Sequence, residues 1–339
     1  MNWAESAPLT LGVEEELMIL DEETLELVPR VQTFLGTEGF KTELFATMLE
    51  LYTPVCRTAA EVEEALRRLR AKAADVAEAN GLLIAASGSH PISDPEEQEI
   101  VDEPRYLEFV EYAGVSARRQ GVHGLHVHVG MPDLPTCLRV MEGVLPWLPL
   151  VLAVSANSPY LSGRATGHMS NRAEVLAQLP RHGAPPPDWE AAVQHMVGLG
   201  LVSDSTALWW DVRPSPKFGT LEFRIADQPT ELARSVAFVE LFQALCAKLL
   251  GEADGRPAER TLYEEARWAA AQYGPRARLP HPDGDRLVSV PDLLDELLER
   301  VRLPGLLAGD GCEGDRQLEL GAAGGLKAVC ADLVARSLP

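Results

Sequence analysis

Five short segments of this chain alternate apolar and ionisable residues with a period of two, and no other feature constrains the fold as tightly. Successive residues of a strand point to opposite faces of its sheet. Val13, Leu17 and Ile19 therefore share one face while Glu14 and Glu16 share the other, and Glu50 opposes Leu49 and Leu51. His126 and His128 oppose Leu125, Val127 and Val129; Asp211 and Arg213 oppose Trp210 and Val212; Glu222 and Arg224 oppose Leu221, Phe223 and Ile225. One such strand describes only a half-buried sheet, wet on one side. Five of them, if neighbours, crowd carboxylates on a common surface with too few cations to balance them. Like charges at about 5 Å repel by roughly 1–3 kcal/mol per pair. Bound cations relieve that repulsion, and an oxygen-rich ligand set selects hard ions such as Mg²⁺ or Mn²⁺ over a sulfur–nitrogen zinc site.

Helical sequence separates these strands. The first strand spans Leu9 to Leu20, with a turn at Asp21–Thr24 and a short return strand from Leu25 to Val28. A strand over Met48–Tyr52 follows, and then a helix opens on a capping box, Thr58 with Glu61, and runs to Asn80–Gly81. Leu82–Ala86 reads as a buried strand, Pro104–Arg119 as a helix, Leu125–Met131 as a strand and Thr136–Ala156 as apolar helix. Ser158–Pro187 reads as a long loop with one short helix near Ala173–Leu179. Thr206–Val212 and Thr220–Ile225 form a hairpin, and the remainder is helical over Glu231–Leu250, Leu262–Gln272, Pro291–Val301 and Ala322–Ser337. The pattern predicts an α+β fold, a largely antiparallel sheet with helices outside it, as one domain over residues 1–339.

Composition narrows the partners. Fifty-one acidic against 30 basic residues give a net charge of −21, which disfavours nucleic acid and anionic membrane surfaces. Local arginines still allow an anionic substrate in one cleft. The five cysteines, Cys56, Cys137, Cys246, Cys312 and Cys330, are scattered without a C-x-x-C pair, which fits a reducing cytoplasm and no disulfide framework. The N-terminal sequence has no signal-peptide character, and the apolar run Val144–Val154 carries Pro146 and Pro149 and is short for a bilayer span.

The long loop supplies charges complementary to the carboxylates. Arg164 follows Gly163, and Arg172 follows Ser170 and Asn171, so both arginines are candidates for fork-like recognition of phosphate or carboxylate. The chain has no G-x-x-x-x-G-K-[ST] loop. Its one G-x-G-x-x-G, Gly309–Gly314, follows a helix and carries Asp310 and Glu313, so it reads as a loop and not as a dinucleotide fingerprint. No Gly-x-Ser-x-Gly elbow or Cys–His pairing supports a nucleophilic enzyme. His90, His123, His168, His182, His195 and His281 stand singly and read as non-catalytic.

The motifs at Gly12–Glu16, Met48–Val55, Gly124–Gly130, Ser155–Pro159, Trp209–Pro214, Gly219–Arg224 and Gly314–Gln317 run nearly end to end. In that order they resemble the type-two glutamate–cysteine ligase family, the YbdK-like carboxylate–amine ligases. The resemblance implies the curved antiparallel sheet of the glutamine synthetase and glutamate–cysteine ligase catalytic domain, with ATP, Mg²⁺ (or Mn²⁺) and substrate on its polar face. It implies metal ligands among Glu14, Glu16, Glu43, Glu50, His126 and Glu222. It sets Arg224 against the transferred phosphate and Arg172 against substrate carboxylate or phosphate, with Glu222 beside them. Arg213, Asn157 and Arg164 join Arg224 as candidate ATP-binding residues. The implied reaction activates a small carboxylate, the γ-carboxylate of glutamate, as an acyl phosphate that an amine or amino acid then attacks, in a homo-oligomer. The acceptor amine stays open, cysteine included. Two rivals are a metal-dependent amidohydrolase built on His126 and His128, and a non-catalytic nucleotide- or metal-binding regulator on a ligase fold.

Overall fold

The computed structural model describes residues 3–252, 257–307, 309 and 311–338, so Asp310 of the glycine-rich run lies outside the described residues. The strands are β1 (Leu11–Asp21), β2 (Phe40–Thr42), β3 (Met48–Tyr52), β4 (Leu82–Ala85), β5 (Leu125–Gly130), β6 (Tyr160–Leu161), β7 (Arg164–Ala165), β8 (Val212–Ser215), β9 (Thr220–Phe223), β10 (Arg278–Pro280) and β11 (Leu287–Ser289). The helices are α1 (Ala59–Glu78), α2 (Pro104–Ala113), α3 (Val115–Arg118), α4 (Leu134–Val144), α5 (Leu148–Ser155), α6 (Asn171–Leu176), α7 (Trp189–Gly198), α8 (Leu232–Leu250), α9 (Arg260–Tyr273), α10 (Val290–Val301), α11 (Glu313–Gly324) and α12 (Leu326–Ser337).

Seven strands make one antiparallel sheet in the order β2-β3-β1-β5-β9-β8, with β4 also paired to β1. The long β1 is its spine. One edge carries β3; the other is shared, β5 taking Leu11–Glu15 and β4 taking Met18–Asp21. At the split between those two partners the Glu16 N–H donates to the Gln228 side chain at 3.2 Å, so the orphaned donor is satisfied. The alternation along β1 also changes character there. Glu14 and Glu16 face the cleft, whereas Met18 and Leu20, of the same parity, lie under Val329 and Leu333 of α12.

The opposite face of the sheet builds the core. Val13, Val127, Val129, Leu221 and Phe223 pack with α1, α4 and α8, and Phe223 stacks on Phe242 of α8 with ring centroids 4.1 Å apart. Thr58 caps α1 by accepting from the Glu61 N–H, but the Glu61 carboxylate accepts from the Arg57 N–H, so only half of the expected capping box forms. Leu134–Ser155 is long and apolar enough to cross a membrane, a length that the run from Val144 understates, and most of it is buried inside the fold.

Four elements depart from the sequence pattern. The hairpin strand begins at Val212 and not near Thr206, because Ser205–Ala207 form a 3-10 turn. The long loop contains the β6–β7 hairpin, and α7 follows it over Trp189–Gly198. The last helix is two helices broken at Gly325, whose φ of 77° is left-handed. The β10–β11 hairpin precedes α10.

Glu15 has the wrong parity for the cleft and is fully buried beneath the sheet. Arg70 of α1 grips it through two bonds of 2.7 Å, and Ser235 and Gln228 donate to it as well. The same guanidinium donates to the Thr230 and Ser337 carbonyls, tying β1, α1, the segment before α8 and the end of α12 together. Arg70→Met strands a buried carboxylate and is expected to lose about 3–5 kcal/mol in chemical denaturation, while Glu15→Leu combined with Arg70→Met recovers much of the loss. Equal stability of Arg70→Met and wild type would contradict this.

Candidate functional site

Strand register lays the ionisable residues side by side. Lys41 on β2 stands opposite Glu50 on β3, and Glu50 opposite Glu16 on β1. Glu14 stands opposite His126 on β5. His128 stands opposite Glu222 on β9, and Glu222 opposite Arg213 on β8. The side chains form two groups of contacts, one at each end of the face. Lys41 Nζ lies 2.8 Å from Glu50 and 3.1 Å from Glu14. His126 follows, with Nδ1 3.5 Å from Glu14 and Nε2 3.9 Å from Glu16. At the other end Arg213 holds Glu222 through two bonds of 2.7 and 3.2 Å, and Arg224 reaches the same carboxylate.

The titration behaviour registers the crowding. Burial, with Glu14 and Glu43 nearby, holds the Glu50 carboxyl well above the usual range. Burial and Glu43 raise Glu16 to about 7, and burial raises Glu43. Glu222 goes the other way: burial opposes its charge, but Arg213 and Arg224 outweigh burial and pull its carboxyl well down. Glu14 is lowered too, His126 and Lys41 overcoming its burial. His126 is pushed down to about 3 by burial and by Arg224, so its imidazole is neutral at physiological pH and able to ligate.

As they stand, no three metal-ligating side chains among the described residues converge closely enough to coordinate an ion. Lys41 Nζ bridges Glu14 and Glu50, and two guanidinium groups hold Glu222, so protein cations stand among the carboxylates. The donor set nonetheless fits a hard divalent cation: carboxylate oxygens, a neutral imidazole, and carboxyls raised by burial and by neighbouring carboxylates.

Arg172 supplies positive charge without a carboxylate. It is 4% exposed, and its guanidinium donates to the carbonyls of Ile225 and Arg224 at 3.2 and 2.9 Å. Among the described residues no acid lies within 4.0 Å of it. Gly124 makes room: a Cβ there would lie 2.2 Å from the guanidinium, and the Gly124 N–H donates to Glu16 at 2.6 Å. Beneath Arg172, Asp227 accepts from the Ser158 and Ser170 hydroxyls at 2.6 and 2.7 Å and from the Asn157 N–H at 2.8 Å.

Two cavities open along this face. One, of about 490 Å³, has Glu16, Glu43, His126, Arg172 and Arg224 among its lining residues. The other, of about 380 Å³, is lined by Glu14, Lys41 and His128 together with Tyr52, Val55 and Phe218. Glu43 follows β2 on a loop, with the Tyr106 hydroxyl 3.5 Å from it. His126 and His128 do not pair. His128 bonds the Thr220 hydroxyl at 2.8 Å, meets Phe218 edge-on and lines the second cavity, whereas His126 lines the first.

Three sequence candidates lie elsewhere, and a fourth, Arg213, is tied to Glu222 within the site. Asn157 is fully buried, its side chain taken by the Gln228 carbonyl, Thr230 and Gln317, so it braces the network beneath Arg172 and does not line either cavity. Arg164 sits exposed on the β6–β7 hairpin. Asp211 lies before β8 and binds Arg267 and the Tyr263 hydroxyl of α9, each at 2.7 Å. Arg213 is committed to Glu222 and to the Thr206 and Leu208 carbonyls. Conversely, the short β2 hides Lys41 from any periodic signal, and Arg105, Arg181 and Trp209 line the first cavity from loops and helix ends.

Residues 10–311 match the model of glutamate-cysteine ligase family 2. Two Rubrobacter xylanophilus proteins carry the provisional names glutamate–cysteine ligase 2-1 and 2-3. They are 39% and 38% identical to this chain, over 86% and 91% of it and 81% and 87% of their own lengths. Among solved structures, a glutamate–cysteine ligase from Francisella tularensis in complex with AMP superposes with a TM-score of 0.69 at 14% identity, covering 99% of this chain and 89% of that one. A bifunctional glutathione synthetase from Pasteurella multocida gives 0.64 at 16% identity over 97% of this chain and 50% of its own. At that identity they establish a shared fold.

Glu16 offers a test of the crowding. Its raised carboxyl carries no charge penalty when protonated below its ordinary value of 4.5, and the penalty grows as pH rises toward 7. Metal-free Glu16→Gln is therefore expected to have nearly wild-type stability near pH 4.5 and to exceed it by up to roughly 3 kcal/mol at pH 8. A stability difference that does not change with pH would contradict the repulsion.

Proposed function

The chain belongs to glutamate–cysteine ligase family 2, and from that premise we propose that it is an ATP-dependent carboxylate–amine ligase whose polar sheet face catalyses phosphoryl transfer to a carboxylate, that of glutamate by family resemblance. The observation carrying this reading is the register that lines up Glu50, Glu16, Glu14, His126 and Glu222 beside Arg224 and the acid-free Arg172. Glu14, Glu16, Glu43, Glu50, Glu222 and His126 would hold Mg²⁺ or Mn²⁺, which when bound offsets the negative charge of the ATP phosphates. Arg213 is a positioning residue that fixes Glu222.

The two cavities divide the substrates. The slot formed by Tyr52, Val55 and Phe218 presents apolar surface suited to a flat nucleoside base, and the cavity over Arg172 suits the amino-acid substrates. A donor carboxylate oxygen bonds to the γ-phosphorus as the bond to the β–γ bridging oxygen breaks, and ADP departs with that electron pair. The amine nitrogen then bonds to the acyl carbon, phosphate leaves with the C–O pair, and the surplus amine proton passes to water. Arg224 faces the transferring group and Arg172 the donor anion, supplying fixed positive charge that needs no reorganisation during the reaction. An amide formed this way requires no covalent enzyme nucleophile. The cysteines are all buried, and burial raises all five thiols, Cys312 and Cys330 to about 12, which leaves no reactive thiolate among them.

Separation of the nucleotides after one round of ligation is expected to yield ADP and phosphate in step with amide. AMP and pyrophosphate would overturn the mechanism. Arg224→Lys should lower kcat at least tenfold with a smaller change in ATP affinity, because an ammonium cannot reproduce the guanidinium fork. Glu222→Gln should abolish turnover in a protein that still folds, and normal ligation by that variant would remove Glu222 from the site.

A further inference from the structure

The cavity over Arg172 changes character from floor to mouth. Its floor is ionic, with Glu16, Glu43, Arg172 and Arg224. Its mouth is walled by Phe109, Tyr112, Leu176, Leu179, Leu201 and Trp209. Phe109 and Trp209 form one surface, their ring centroids 5.2 Å apart and inclined by 45°. Tyr112 and Leu201 are 60% and 58% exposed, so apolar area at this rim has no cover from the chain itself.

Arg181 completes the mouth. Its guanidinium lies 4.9 Å from the Trp209 ring and 5.8 Å from that of Tyr112, and its Nε donates to the Ala207 carbonyl at 3.2 Å. Among the described residues no carboxylate lies within 4.0 Å of it. Its backbone is left-handed, φ 62°, a conformation uncommon for a residue with a side chain and concentrated at functional sites. A guanidinium held on an aromatic face without an acid partner is a socket for a planar anion beside a ring.

We propose that the acceptor amine is an aromatic amino acid, with its ring on Phe109 and Trp209, its carboxylate on Arg181 and its amine toward the acidic floor. The assignment rests on the ligase reading and deepens it. Cysteine fits this wall poorly: one methylene and a thiol cover little of an aromatic surface, and aromatic burial is what such a wall rewards.

The test measures binding separately from turnover. The intact protein, with Mg²⁺, glutamate and a non-hydrolysable ATP analogue, is titrated with L-phenylalanine, L-cysteine and phenethylamine by calorimetry and tryptophan fluorescence. L-Phenylalanine is expected to bind at least tenfold more tightly than L-cysteine and at least fivefold more tightly than phenethylamine, which lacks the carboxylate. Trp209→Ala should erase the first preference. Arg181→Asn, which tolerates the left-handed backbone and so guards against a folding artefact, should erase the second. Cysteine binding as tightly as phenylalanine, binding of none of the three, or a phenylalanine preference intact in Trp209→Ala would each overturn the proposal. ADP release is followed in parallel. Turnover without an amine preference sinks the acceptor assignment and keeps the ligase, whereas the expected preference without ADP from any pair supports the aromatic site and sinks the ligase.

Discussion

Mutual repulsion among Glu14, Glu16, Glu43 and Glu50 is the constraint on which the rest of the site depends. The strands cannot rotate Glu14, Glu16 and Glu50 away, because the alternate residues Val13, Leu17, Leu49 and Leu51 are locked into cores on the other face. The fold answers with three kinds of relief. Burial with neighbouring carboxylates raises Glu16 and Glu50, and burial raises Glu43, so these carboxyls take up protons more readily. Lys41 bridges Glu14 and Glu50, and arginines hold Glu222. Under the proposed function divalent cations would be the third relief, and they would link the stability of the sheet to its chemistry.

Rigidity beneath the face keeps the charges in place. The buried Glu15–Arg70 pair fastens the spine strand to four other parts of the chain. Asp227 and Asn157 brace the segments leading into α6, which carries Arg172, and Gln317 closes that network from α11. Such buried polar groups are tolerable only when nearly every donor and acceptor is met. The cost of breaking one is expected to fall on stability, whereas under the proposed function the cost of removing Glu222 falls on turnover.

The sheet and much of the site were legible in the sequence, because period-two alternation is a local signal that the core enforces. Glu14, Glu16, Glu50, His126 and Glu222 were found by parity alone, and the register brings them together. What escaped depends on distant partners. Asn157 looks like a ligand-facing loop residue until Gln317, 160 positions away, claims its side chain. Asp211 appears to share a strand face with Arg213, but pairing starts only at Val212 and Asp211 binds α9 instead. Lys41 sits in a strand of three residues, too short to show a period. Glu15 falls on the apolar parity of β1, and only Arg70, 55 positions away, accounts for a carboxylate there. Arg181 and Trp209 meet across a loop whose course no periodicity sets.

Direct titration of the nucleotide-free protein with Mn²⁺, read by the loss of the free-ion electron paramagnetic resonance signal, tests the central claim. The carboxylate face predicts saturable binding that weakens as pH falls below the raised Glu16 and Glu50 carboxyls, and that is reduced at least tenfold in Glu50→Gln with the fold intact. Saturable binding indifferent to pH and to Glu50→Gln, or no binding at pH 8, would contradict it.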